Sequence, residues 1–217
     1  MPFCAGVRDI MVNVCAALAL CLTAPPVLAE TIGSAYTDYD AKACPHKRGR
    51  TVEDYGEWRC KGLGGMPVLL SAGDQRMTMS FGKHAADEPA AAQTLGGFND
   101  VYKARIEWRY VRAAGGAVTP FAAIVPWNTD LLDESEDSLA RSRPKTIRGK
   151  VLVVIRLGAQ GVCHVGYVDA LANRDADALA REIADRDARA FRCATDKPVI
   201  VGETGPGFSS SSDAEKR

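Results

Sequence analysis

Apolar and polar residues alternate with a period of two along several stretches, the pattern of strands that bury one face. Met66–Ser71 and Arg76–Phe81 alternate in this way around Ala72-Gly73-Asp74-Gln75, which predicts a β-hairpin with Met77, Met79 and Phe81 on one face. Lys103–Arg112 sets Ile106, Trp108 and Tyr110 against Arg105, Glu107 and Arg109, a strand with one wet face. Pro120–Trp127 is almost continuously apolar and is expected to be covered on both sides. Lys150–Leu157 and Val162–Val168 flank Gly158-Ala159-Gln160-Gly161 as a second hairpin, in which alternation puts His164 with Val162, Gly166 and Val168.

The period then changes to 3.6 residues, the α-helical repeat. Asn173 or Asp175 caps a helix running to about Phe191, with Ala176, Leu179, Ala180, Ile183, Ala184 and Phe191 along one stripe. Glu182 with Arg186 and Arg181 with Asp185 form charge pairs along its wet side. Ala85–Gln93 reads as one short helix capped by Asp87 and stopped at Gly96-Gly97, and Pro198–Gly202 as an edge strand. Glu30–Tyr55 reads as an extended, loop-rich segment, Asp130–Lys150 as a long exposed loop of five anions followed by five cations, and 203–217 as a disordered tail. The sum is an α+β domain over 30–202: a mostly antiparallel sheet of about six or seven strands with one main C-terminal helix packed on it.

Ahead of that domain, Met11–Leu22 is an apolar run of signal-peptide length, too short to span a bilayer, followed by Pro25, Pro26 and Val27-Leu28-Ala29. Cleavage after Ala29 removes 1–29 and sends the mature chain to the periplasm or outside the cell. An N-terminal buried helix is the competing reading, and a lipoprotein site at Cys21 ranks lower because Leu20 is bulky. Cys44, Cys60, Cys163 and Cys193 then remain, an even number for an oxidising compartment. Three connectivities are open, of which Cys44 with Cys60 and Cys163 with Cys193 pair nearest neighbours in the chain. Neither Cys44-Pro45-His46 nor Cys163-His164 has the spacing of a zinc site.

Composition narrows the function classes. The chain has 217 residues, 47% hydrophobic and 25% charged, with 27 Lys and Arg balancing 27 Asp and Glu, which suits a globular protein and argues against phosphate-driven nucleic-acid binding. It has no nucleophile elbow, zincin helix, phosphate loop, dinucleotide fingerprint or calcium loop, so no cofactor is implied.

Three chemical constellations remain. His84 or His164 with a carboxylate would serve a small envelope hydrolase, against a plain core histidine at 164. Met77, Met79 and His84 would offer soft ligands to Cu(I), against plain core packing. The stretch Glu53–Gly65 carries Trp58 and Arg59 beside a glycine-rich turn, a recognition surface unless Trp58 packs over the Cys44–Cys60 bridge.

The runs YGEWRCKGLGG, PVLLSAGDQRMTMSFG and VGYVDALAN resemble small secreted proteins of alphaproteobacteria with no assigned function. The resemblance spans most of the mature chain; it implies export to a Gram-negative periplasm and transfers no activity or residue role. The leading expectation is a non-enzymatic module that binds an envelope protein or cell-wall component.

Overall fold

The computed structural model describes residues 30–51, 54–141 and 145–209. The expected leader at 1–29 and the end of the chain from 210 lie outside them.

The strands are β1 (Thr31–Asp40), β2 (His46–Lys47), β3 (Asp54–Lys61), β4 (Pro67–Gly73), β5 (Arg76–Phe81), β6 (Phe98–Asp100), β7 (Lys103–Arg112), β8 (Val118–Leu132), β9 (Thr146–Arg156), β10 (Cys163–Asp169) and β11 (Val199–Ile200). Helix α1 is the short Glu136–Leu139 and α2 is Ala176–Asp187. The fold is α+β and mostly sheet, but the strands form two sheets, which corrects the single sheet expected. A seven-stranded sheet runs β1-β7-β8-β9-β10-β11 with β6 also paired to β8, and a four-stranded sheet runs β2-β3-β4-β5. All pairs are antiparallel except β10 with β11.

The large sheet is the middle layer. Against the small sheet it buries Trp108, Trp127, Tyr167 and Ile106 among Leu70, Met77, Met79 and Phe81. On its other face Phe121, Ile124, Val154 and Val165 meet Ala180, Ile183, Ala184 and Phe191 of α2 and the turn after it. Both faces of β8 over Phe121–Val125 and of β9 over Val151–Arg156 are therefore dry, as the continuous apolar runs require. Close approach is built into the small-sheet interface at Gly62, where an added Cβ would lie 2.4 Å from the Trp108 ring.

Several boundaries differ from the sequence reading. β1 occupies a segment expected to be loop and pairs along its whole length with β7. Strand takes up both ends of the charged Asp130–Lys150 segment, since β8 continues to Leu132 and β9 starts at Thr146, with Asp130 3.9 Å from Arg148 across the ladder. Ala85–Gln93 forms two 3-10 turns, Ala85–Asp87 and Pro89–Ala91, divided at Glu88. Residues 203–209 are held against the body: Gly205 N–H donates to Asp169 Oδ2, Thr129 Oγ1 donates to the Gly207 carbonyl, and Phe208 packs on the main core.

The face of β7 expected to be wet is an ion-pair layer under α2. Arg181 Nε donates to Glu107 at 2.7 Å, and Arg109 makes a two-pronged bond to Asp185 at 2.8 and 2.6 Å. Ser34 of β1 links the two, donating to Glu107 and accepting from Arg109. Arg181 and Asp185 thus reach the sheet rather than each other, while Glu182 and Arg186 pair along the helix as expected, 3.1 Å apart.

Candidate functional site

The cysteines form two bridges, Cys44–Cys60 and Cys163–Cys193, the pairs preferred on chain proximity. The other expected site residues are not assembled into chemistry. Met77 and Met79 are buried in the core between the sheets, and Met77 Sδ accepts a hydrogen bond from Val101 N–H. Burial leaves the thioethers no open side for a metal, which corrects the copper reading; His84 is exposed at the start of a 3-10 turn.

His164 is fully buried. A β-bulge between His164 and Gly166 breaks the alternation, so His164 and Tyr167 share the inter-sheet core while Val168 faces α2. Its Nδ1 lies 3.0 Å from the Tyr167 hydroxyl and its ring meets Trp127 edge-on, with centroids 5.5 Å apart. Desolvation lowers its pKa to about 3. Among the described residues neither His84 nor His164 has a carboxylate partner, so the acid–base pair a histidine hydrolase needs is not formed there.

Trp58 and Arg59 point to opposite faces of β3 and do not share a surface. Trp58 is half-buried, stacked on His46 at 4.5 Å and edge-on to Tyr102 at 5.3 Å, while exposed Arg59 reaches Glu57 at 3.4 Å. The glycine-rich turn beside them lines a groove. Between the β1, β7 and β8 edge of the large sheet and the β3–β4 connection of the small one, the layers part to leave a groove of about 720 Å³.

Most of the groove is apolar side chain or bare backbone. Ala35, Leu63 and Met66 form a floor continuous with the core. Pro67, Val118 and Pro120 extend it outward. Gly64, Gly65 and Gly82 contribute bare backbone at φ of 61°, 81° and 96°, and a Cβ on any of them would meet nothing within 4 Å. Such φ values favour glycine, so the turn geometry itself keeps the wall free of side chains.

Charge enters only at the rim, through Lys83 and Arg112. Arg112 has neutral partners: the Gly116 carbonyl and the Tyr110 hydroxyl, each at 3.4 Å, and the Tyr110 ring with its centroid 5.4 Å away. Lys83 is exposed, and neither cation is in an ion pair among the described residues. An apolar trough with two unneutralised cations at its mouth suits a ligand with an apolar body and an anionic end. The Gly62–Gly65 turn was visible in the sequence; Ala35 and Val118 carried no local sign of meeting it.

Comparison with protein-family models, with curated proteins and with solved structures gives no match for this chain. No helix among the described residues is long and apolar enough to cross a membrane.

Proposed function

We propose that the chain is an exported, non-catalytic binding module of the periplasm or cell exterior, and that its groove takes an acyl-bearing envelope component by a chain of methylenes with a carboxylate or similar acidic head. The observation that carries this reading is the pairing of an apolar floor continuous with the core and a rim whose only charges are Lys83 and Arg112. Each methylene withdrawn from water contributes about 0.8 kcal/mol, so six in the groove would supply about 5 kcal/mol before ordering costs. The two cystines support an oxidising location, and the apolar leader pattern supports export.

The test is calorimetric titration of the mature protein with laurate and, separately, with dodecanol. Laurate is expected to bind, dodecanol to bind at least tenfold more weakly, and Lys83→Glu combined with Arg112→Glu to weaken laurate by a similar factor. Val118→Asp, at an exposed wall position, is expected to weaken both ligands. Absence of laurate binding would remove the reading, and equal affinity for the two ligands would remove its anionic half.

A further inference from the structure

A second cavity lies at the opposite end of the β4–β5 pair, where the turn of that hairpin meets β6 and the far half of β8. It encloses about 220 Å³. Its walls collect Tyr55, Phe98 and Tyr102, three of the four well-exposed Phe, Tyr or Trp side chains among the described residues. Solvated aromatic rings gathered from two distant segments are not required by the core, since each would bury more apolar surface by turning inward.

Polar groups of both hydrogen-bonding senses stand among these rings. Arg76 uses Nε on the Gly97 carbonyl at 3.1 Å, leaving its terminal nitrogens as donors toward solvent. Asp100 accepts from Asn128 Nδ2 at 3.3 Å, which orients an acidic acceptor and an amide side by side. Gln75 has no side-chain partner among the described residues.

The frame behind the cavity is rigid. Asn99 Oδ1 accepts from Met77 N–H at 3.1 Å, its Nδ2 donates to the Leu95 carbonyl at 2.9 Å, and its own N–H donates to the Gln75 carbonyl at 3.1 Å. The turn so pinned holds Asp74 at φ 45° and Gln75 at φ 60°, the only non-glycine residues at positive φ among those described. A two-residue hairpin turn of this hand normally uses Asn-Gly or Asp-Gly, so a long amide at the second position costs strain that the hairpin alone would not demand.

We infer that this cavity is a saccharide site for one or two pyranose rings, neutral or N-acetylated, with the C–H face of the sugar on Tyr55, Phe98 or Tyr102 and its hydroxyls on Gln75, Arg76, Asp100 and Asn128. Sugar hydroxyls both donate and accept, which fits a ring of guanidinium, amide and carboxylate. Asp100 and Asp130 are balanced by Arg76 and by Arg148, 3.9 Å from Asp130, so the cavity carries no excess of either sign and suits a neutral ligand. The volume is below the roughly 300–1,000 Å³ of drug-sized pockets, which limits the ligand to small glycans. The site is distinct from the groove and stands or falls separately from it.

Trp58 supplies the readout, because it alone of the described tryptophans is not fully buried and it touches Tyr102. The mature protein is titrated with N,N′-diacetylchitobiose, cellobiose and maltose, following tryptophan emission and saturation-transfer NMR. At least one of the three is expected to saturate, with sugar C–H protons receiving transfer, and Tyr55→Ala and Phe98→Ala are each expected to weaken it at least tenfold with an unchanged melting temperature. Asn128→Ala, at an exposed position, serves as a third variant with the same expectation should Phe98→Ala unfold. No saturable response to any of the three up to about 50 mM, far above the millimolar constants of weak ligands, overturns the assignment. Binding that survives both Tyr55→Ala and Asn128→Ala also overturns it.

Discussion

His164 sits where a proton cannot follow it. Trp127 and Tyr167 enclose the ring, and its Nε2 has no hydrogen-bond partner among the described residues. Burial disfavours the imidazolium, so the native pKa falls to about 3 against 6.5 for the free side chain. The sign follows from proton counting: between those values the unfolded chain binds a proton that the native chain refuses. The stabilisation from keeping this ring neutral is complete above pH 6.5 and is lost as the pH falls toward 3. At its steepest the slope is about 1.4 kcal/mol per pH unit. Urea midpoints at pH 7 and pH 4.5 are expected to separate in the native protein and to converge by at least half in His164→Phe or His164→Gln. Parallel pH dependence in native and variant proteins would show that the native ring is protonated or open to water.

Between β7 and α2 the contact is electrostatic where sequence periodicity suggested solvent. Glu107 and Arg109 retain about a tenth of their side-chain exposure, at 9% and 10%, so their charges are screened far less than those of a surface pair. Glu107→Ala takes the carboxylate from Arg181, which keeps the Tyr36 hydroxyl and is 38% exposed, and removes the acceptor for Ser34; it is expected to cost about 2 kcal/mol in chemical denaturation. Glu182→Ala breaks only the exposed pair with Arg186 and is expected to cost under about 0.5 kcal/mol. Equal losses would mean the buried layer is no stronger than the surface one. The same contrast explains which elements the sequence reveals. β4, β5, β7, β8, β9, β10 and α2 bury an apolar row against a hydrophobic layer, so period and composition agree. β1 is an edge strand whose outward partners are Arg105, Glu107 and Arg109, reached through Asp38 and Ser34, and a strand held by polar side chains reads as loop. The bulge in β10 hides likewise, since one extra residue reverses the face of His164 with no change in composition. The groove was legible only as its Gly62–Gly65 turn, because the rest of its wall is assembled by pairing β1 with β7 and β7 with β8.

The two cystines divide the labour between the layers of the whole molecule. Cys44 stands just before β2 and opposite Cys60 of β3 in the extended β2–β3 register, so that bridge closes the ladder of the small sheet just before the β3–β4 connection that lines the groove. Cys163 begins β10 and Cys193 follows α2, so the other ties sheet to helix on the far side. Their loops are similar, with separations of 16 and 30 residues, and chain entropy assigns each about 3–4 kcal/mol. Similar stability terms with different geometry predict different functional consequences. Cys44→Ala with Cys60→Ala loosens the end of β3 and with it the β3–β4 connection, which forms one wall of the groove. Cys163→Ala with Cys193→Ala loosens the end of α2, which touches neither cavity. Both double variants are expected to lose about 3–4 kcal/mol in urea unfolding. Under conditions where both remain folded, laurate affinity should fall severalfold in the first and stay within twofold of the native protein in the second. A loss shared equally by the two would make the groove dependent on global stability alone, and the division between a tie within the small sheet and a tie of sheet to helix would have no functional meaning.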